Sequence, residues 1–175
     1  MKKLLIVVDY QTDFVNGTLG FDGAESLETG ISKKIDEFRG ENWSIIFTYD
    51  THDATYYNTQ EGKKLPVAHC IKDSEGWQLY GSIASKPCDG DKIIHKPTFG
   101  SAELFDWLRS SDFDEIELCG LVSNICIISN AILAKTALPE AEIIVDAQLT
   151  AGADSKLHKA ALDVMTGLQI TVINR

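Results

Sequence analysis

Positive charge is scarce in this sequence. Its 175 residues include 16 Lys and Arg against 26 Asp and Glu, which gives a formal net charge of -10 at pH 7. Nucleic acids and anionic membranes are themselves negative, so this deficit argues against both as partners. The charge is compatible with a small-molecule substrate, an anionic product or a bound metal ion.

Long apolar runs are absent as well. The first run, Leu4 to Val8, is short and is followed by Asp9 and Asp13. A transmembrane helix needs about 20 mostly apolar residues, and a signal peptide needs a longer apolar region with a cleavage site. We therefore expect a cytoplasmic protein without a membrane-spanning segment.

Cysteine is sparse, and no Cys-x-x-Cys pair occurs. This absence argues against a zinc knuckle built from four cysteines. In a reducing compartment the thiols should be free, and most such cysteines are small buried hydrophobic residues. That is the starting interpretation for each cysteine, namely Cys70, Cys88, Cys119 and Cys126.

Apolar runs alternate with helical patterns along the whole sequence. Leu4 to Val8 is a continuous apolar run, as expected for a strand buried on both faces. Strands are predicted at 4–8, 44–49, 92–95, 115–119, 142–145 and 168–173, and helices at 24–38, 102–108, 123–137 and 154–165. Strands joined by crossover helices predict a parallel sheet covered on both faces. The length predicts one α/β domain over residues 1–175.

Residues 50–90 interrupt this alternation of strands and helices, because they show little clear periodicity. A long irregular segment within a compact domain is usually functional. We therefore expect this insert to carry part of the site.

Reactive side chains follow several of the predicted strands. Asp9, Asp50 and Lys96 stand at strand ends, and Cys126 follows the fourth strand closely. Ligands of open parallel sheets bind beyond the carboxyl ends of the strands, so these residues should share one edge. The glycines of a dinucleotide fold and the lysine motif of a P-loop are both missing, which argues against phosphate binding.

Cys126 is the best candidate nucleophile. It falls in the first turn of the predicted 123–137 helix, with Ser123 or Asn124 as the N-cap. The dipole and free N–H groups at a helix start stabilise a thiolate and a developing oxyanion. A buried core cysteine is the alternative interpretation.

Asp9 and Lys96 supply the other groups that a cysteine hydrolase needs. Asp9 can take the thiol proton and pass it to a leaving amine, and Lys96 can stabilise the thiolate. A turn cap at Asp9 and a solvated lysine before Pro97 are the ordinary alternatives. Because Asp9 and Lys96 are both expected at the same sheet edge as Cys126, the catalytic interpretation is favoured.

A metal site is the second hypothesis for this edge. Asp50 and His52 are two residues apart in an extended segment, so both side chains point to the same side. His69 closes the insert, and two histidines with one carboxylate suit Zn²⁺, Fe²⁺ or Mn²⁺. Glu61 is a candidate fourth ligand, although a solvated glutamate explains the sequence equally well.

Together these motifs resemble the isochorismatase-like cysteine hydrolases, and within them the nicotinamidases. The resemblance covers essentially the whole chain. It is carried by VVDYQTDFVNGTLG (7–20), FTYDTHD (47–53), LPVAHC (65–70), HKPTFGSAEL (95–104) and GLVSNICI (120–127).

The resemblance implies a three-layer α/β/α fold whose six-stranded parallel sheet has the order 3-2-1-4-5-6. It implies a Cys126-Asp9-Lys96 triad and amide hydrolysis through a thioester. A cis peptide at Leu121–Val122 and an oxyanion hole made by the Val122 and Cys126 N–H groups are implied as well. Phe14 would be an aromatic pocket residue, and the metal of nicotinamidases binds a pyridine nitrogen and water.

The sequence departs from nicotinamidases near the pocket and the metal. Leu65 stands where many have tryptophan, and Tyr57 or Asn58 where some have a third histidine. A subgroup uses glutamate there, which Glu61 could match.

Three hypotheses follow from these observations. The first is a metal-dependent nicotinamidase with zinc as the expected metal, or iron or manganese, in a homo-oligomer with a substrate pocket that includes Phe14 and Leu65. The second is a related cysteine amidase for another small amide or ureido compound. The third is a non-catalytic α/β binding protein, which the presence of all three triad residues disfavours.

Overall fold

The computed structural model describes residues 1–175 and places six parallel strands in one sheet. The strands are β1 (Lys3–Val8), β2 (Ser44–Asp50), β3 (Lys92–Lys96), β4 (Glu115–Leu121), β5 (Glu142–Ala151) and β6 (Thr171–Ile173). Their order is β3-β2-β1-β4-β5-β6, and all five pairings are parallel. The predicted fold class and strand order are confirmed.

Six helices accompany the sheet, together with shorter helical turns. They are α1 (Thr12–Val15), α2 (Glu28–Gly40), α3 (Gln60–Lys64), α4 (Ala102–Arg109), α5 (Ile128–Ala137) and α6 (Ser155–Gly167). Helix α2 packs on one face of the sheet, whereas α4, α5 and α6 pack on the other. This arrangement gives the three predicted layers.

The central strand β1 explains why the sheet lies at the centre of the fold. Leu4, Ile6 and Val8 belong to one core cluster, and Leu5 and Val7 belong to the other. All five are fully buried. Since burying one such side chain contributes about 1.5–3 kcal/mol, this short strand stabilises both layers at once.

Two predicted element boundaries are wrong near the site. The 123–137 segment is not one α-helix, because Ser123–Ile127 forms a wider π turn before α5 begins. Neither Ser123 nor Asn124 caps it: the residue at the N-cap is Val122, with no side-chain bond. Strand β5 also continues beyond Val145 to Ala151, across a register shift in its pairing with β4.

The insert between β2 and β3 is less irregular than predicted. It contains α3 and two short helical turns, Tyr56–Asn58 and Gly81–Ser85. A bridge between His52 and Ile71 and another between Gln11 and Leu79 tie it to the edge of the sheet.

All four cysteines are free thiols, as expected. Cys70, Cys119 and Cys126 are buried, but Cys88 is exposed, so the interpretation of every cysteine as a buried residue is wrong for Cys88. No helix of this fold has the length and apolar character that crossing a lipid bilayer requires.

Candidate active site

Asp9, Lys96 and Cys126 meet at the carboxyl edge of the sheet. Asp9 follows β1, Lys96 is the last residue of β3, and Cys126 lies in the turn after β4. The Nζ atom of Lys96 is 2.6 Å from Asp9 Oδ2 and 3.5 Å from Cys126 Sγ. The lysine ammonium therefore touches both of the other groups.

The backbone at Asp9 turns sharply to bring its carboxylate into this cluster. Its φ of 46° lies in the left-handed region, which aspartate tolerates better than most residues. Asp9 Oδ1 accepts a hydrogen bond of 2.7 Å from the hydroxyl of Thr48 on β2. Both oxygens thus have a partner, one neutral and one charged.

Burial dominates the electrostatics of the three groups. It raises the pKa of Asp9. The Lys96 ammonium lowers this pKa, whereas the Asp50 carboxylate raises it further. Burial lowers the pKa of Lys96. The Asp9 carboxylate, the Cys126 sulfur and the Asp50 carboxylate have the larger combined effect and raise this pKa above its ordinary value. The cluster is therefore a buried carboxylate and a buried ammonium beside a thiol.

Cys126 does not have the environment that the sequence predicted. Burial raises the pKa of its thiol well above the ordinary value, against the opposing effect of Lys96. The sequence placed Cys126 in the first turn of an α-helix, and this is wrong, because Cys126 lies in the buried π turn that precedes α5. A hydrogen bond between the thiol and the Asp9 carboxylate raises the thiol pKa further.

The backbone around Cys126 offers donors for an oxyanion. The Leu121–Val122 peptide is cis, at the position that the resemblance implied. The Val122 carbonyl accepts N–H bonds from Ile125 and Ile127, whereas the Val122 N–H donates to no acceptor in the chain. An unpaired N–H near the thiol is the group that an oxyanion hole requires.

Four metal-ligand side chains cluster beside the thiol. They are Asp50, His52, Glu61 and His69. Each offers one ligand atom, and these four atoms all lie within 4.8 Å of one another. Asp50 Oδ2 is 3.0 Å from His52 Nε2 and 3.3 Å from His69 Nε2. Glu61 Oε1 is 3.6 Å from each of the two histidines.

These residues fit a divalent metal ion. Two imidazoles and two carboxylates form a common donor set for Zn²⁺. His69 Nδ1 bonds to the Val67 carbonyl at 2.9 Å, which leaves Nε2 free to ligate. Burial and the Asp50 carboxylate raise the pKa of Glu61, and a cation would relieve that repulsion. Tyr57 and Asn58 are exposed and lie outside the cluster.

Asp50 connects the four candidate metal ligands with the cluster of Asp9, Lys96 and Cys126. Its Oδ1 atom is 3.3 Å from Lys96 Nζ, while its Oδ2 atom faces the two histidines. Burial raises the pKa of Asp50. The hydrogen bonds from the two histidines and the charge of Lys96 have the larger effect and lower this pKa far below the ordinary range. Asp50 therefore stays ionised.

The cavity above Cys126 is narrow and largely apolar. Its volume, taken as the space open to the centre of a water molecule, is about 50 Å³. Phe14 and Leu65, predicted as pocket residues, both line it. Leu19, Phe99 and Ile125 also line the cavity, and these three residues were not predicted from the sequence.

Gln11 is a further residue whose role was not predicted from the sequence. Its fully buried side chain accepts from the Asp50 N–H at 2.8 Å and donates to the Asp50 carbonyl at 2.9 Å. It also donates to the Trp77 carbonyl in the insert. Its position two residues after Asp9 was the only sequence signal for this role.

The sequence matches the isochorismatase domain family over residues 3–175. The chain therefore belongs to the isochorismatase family of hydrolases.

Within that family the chain is similar to nicotinamidases, as the motifs indicated. The nicotinamidase of Escherichia coli (strain K12) is 26% identical over 156 residues, which cover 71% of this chain and 72% of that protein. The crystal structure of nicotinamidase/pyrazinamidase PncA from Bacillus subtilis has a TM-score of 0.88 at 26% identity, covering 99% and 100% of the two chains. That of pyrazinamidase/nicotinamidase from Streptococcus mutans UA159 has a TM-score of 0.86 at 27% identity, covering 98% and 100%.

Proposed function

We propose that this protein is a metal-dependent cysteine amidohydrolase that converts nicotinamide and water to nicotinate and ammonia. The observation that carries the proposal is the position of Lys96 Nζ, in contact with Asp9, Asp50 and Cys126 at once. One cluster thus supplies a base, a nucleophile and a link to the metal ligands. The similarity to relatives named as nicotinamidases supports the choice of substrate.

Cys126 is the proposed nucleophile and Asp9 the proposed general base. As Sγ attacks the amide carbon, the thiol proton passes to the Asp9 carboxylate. The raised pKa of Asp9 makes it a stronger base than an ordinary aspartate. Lys96 stabilises the negative charge while it is shared between sulfur and carboxylate.

The oxyanion formed by this attack is assigned to the Val122 and Cys126 N–H groups. Collapse of the tetrahedral species breaks the C–N bond, and protonated Asp9 gives its proton to the departing amino group, which leaves as ammonia. The acyl group then remains on Cys126 as a thioester. Asp9 next takes a proton from a water molecule as that water attacks the thioester. Collapse of this second tetrahedral species breaks the C–S bond, and Asp9 returns its proton to the sulfur. The products are the free thiol and nicotinic acid, which ionises to nicotinate.

Asp50, His52, His69 and Glu61 are the proposed metal ligands. When bound, Zn²⁺, Fe²⁺ or Mn²⁺ would supply an electrophilic centre for a ring nitrogen of the substrate or for water. Phe14 contributes to the wall beside this centre, since its ring centroid is 5.5 Å from that of His69. Phe14 and Leu65 would hold a flat ring against Cys126.

Ammonia release over a panel of small amides tests the proposal. The purified protein is assayed with nicotinamide, pyrazinamide, benzamide and ureido acids, before and after loading with Zn²⁺, Mn²⁺ or Fe²⁺. Nicotinamide and pyrazinamide should be hydrolysed, and benzamide, which lacks a ring nitrogen, should be poorer. A ureido compound as the best substrate would favour the related amidase, and no turnover of any amide would favour a binding protein.

A further inference from the structure

Asn130 on α5 has a fully buried side chain with every polar group in use. Its Nδ2 atom donates to the Cys126 carbonyl at 2.8 Å and to the Phe99 carbonyl at 3.0 Å. Its Oδ1 atom accepts from the Ser101 N–H at 3.0 Å. Buried polar side chains with complete hydrogen bonding fix the position of the segments they join.

The two segments joined by Asn130 both carry parts of the proposed site. One is the turn that holds Cys126, and the other is the loop 97–101 after β3. Within that loop the Thr98 carbonyl accepts a hydrogen bond from Lys96 Nζ at 3.0 Å. Phe99, the next residue, lines the cavity above the thiol.

Gly100 provides independent support for close docking of this loop on α5. A Cβ atom at Gly100 would lie 2.9 Å from Leu133 Cδ1 and 3.5 Å from Ser129 Cβ. The first distance is shorter than normal van der Waals contact, so the loop backbone at Gly100 packs directly on side chains of α5. The Asn130 bonds on either side of Gly100 then fix the register of that contact.

We infer that Asn130 is a positioning residue that holds the Lys96 loop and the pocket wall in place against Cys126. The inference rests on the proposed function, because it assigns importance to the relative positions of Lys96, Phe99 and Cys126. Asn130 has no direct contact with the cavity and acts through the segments it joins.

Asparagine suits this position because it offers two donors and one acceptor from a short side chain. Alanine removes all three bonds. Serine at this position could still donate to the carbonyl four residues earlier, that of Cys126, but it is too short to hold the loop as well.

Steady-state kinetics and amide hydrogen exchange test the inference on the metal-loaded protein. The variants are Asn130→Ala and Asn130→Ser, with Met165→Ala as the control for lost stability. Met165 is fully buried near the end of α6, so its truncation destabilises the same helical layer and leaves loop 97–101 and the three Asn130 bonds intact. Mass spectrometry follows exchange in peptides that cover 97–101 and 123–127.

Both Asn130 variants should lower kcat by ~10–100-fold with a smaller change in KM, since small misplacements near reacting groups cost that much. Exchange should accelerate in the 97–101 peptide. Met165→Ala should lower Tm but keep kcat close to that of the wild type. If Asn130→Ala fails to fold, Asn130→Ser decides the outcome.

Asn130 variants with the kcat of Met165→Ala, or with unchanged exchange in both peptides, would overturn the inference. The exchange measurement needs no substrate. If the wild type hydrolysed none of the amides, the proposed function would fail, and exchange would still show whether Asn130 ties the loop to the turn.

Discussion

Lys96 Nζ lies 2.6 Å from Asp9 Oδ2, and both side chains are completely shielded from solvent. Asp9 comes from the end of β1, whereas Lys96 comes from the end of β3, with β2 between these strands. An ion pair this deeply buried depends on both partners, because removing one leaves an unpaired charge in a medium of low polarity.

The first prediction concerns the removal of this lysine. Lys96→Met should abolish turnover and destabilise the fold by about 3–5 kcal/mol, because Asp9 loses its counter-charge. Chemical denaturation measures the stability, and ammonia release measures the activity. The double variant Asp9→Asn with Lys96→Met should recover part of the stability and none of the activity. A Lys96→Met protein as stable as the wild type would contradict the importance of the pair.

The second prediction concerns the pH dependence of the first chemical step. Asp9 must be ionised to accept the thiol proton, and burial raises its pKa. As pH falls through this raised pKa, Asp9 becomes protonated and kcat/KM decreases. The acid limb of the kcat/KM profile should therefore lie at a higher pH than the pKa of an ordinary aspartate. The profile is measured at saturating metal, so that loss of metal at low pH does not produce the limb.

Thr48→Val tests the assignment of that limb. The Thr48 hydroxyl stabilises the ionised form of Asp9, so its loss should raise the pKa further and move the limb to higher pH. Thr150→Val is a matched control, because Thr150 is also buried but its hydroxyl has no partner. A limb that stays in place in Thr48→Val would show that another group titrates there.

The third prediction concerns the metal ligands. His52→Ala should lose bound metal, and Glu61→Gln should bind it more weakly than the wild type, because a neutral amide is a poorer ligand than a carboxylate. Elemental analysis measures the metal content. A ligand present at 100 times its Kd stabilises a fold by about 2.7 kcal/mol, so chelation should lower the Tm of the wild type. Full activity in metal-free His52→Ala would contradict the metal site.

The fourth prediction concerns the pocket wall. Leu65→Ala should raise KM for nicotinamide by up to about tenfold. This is the low end of the roughly 10–200-fold that an apolar group in a pocket contributes, because Leu65 is itself 38% exposed. Leu157→Ala is the control, because Leu157 is an exposed leucine on α6 that does not line the cavity. Equal KM values in both variants would show that Leu65 does not bind the substrate.

The sequence was informative where one physical rule determined position. Asp9, Asp50 and Lys96 each follow a strand with a clear apolar pattern, and the carboxyl ends of parallel strands share an edge. Their convergence could therefore be predicted from the sequence. The insert follows no such periodicity, so the position of Glu61 beside the two histidines depends on tertiary packing of α3.

Local departures from regular geometry could not be predicted from the sequence. The pattern of Ile127, Ile128 and Ala131 suits an α-helix that begins at Ser123, yet the first turn is wider. Ser123 looks like an N-cap, but its hydroxyl instead pairs with His158 Nδ1 at 2.9 Å. Gln11 and Asn130 bond mainly to backbone groups distant in the chain, and no local pattern records such partners.

Ammonia release by Cys126→Ala tests the covalent mechanism most directly. The metal-loaded variant is assayed with nicotinamide beside the wild type and Cys88→Ala, which removes only the exposed thiol. We predict that Cys126→Ala folds and binds metal but releases no ammonia above background, while Cys88→Ala keeps the wild-type rate. Ammonia release by Cys126→Ala at a rate near that of the wild type would contradict the covalent mechanism.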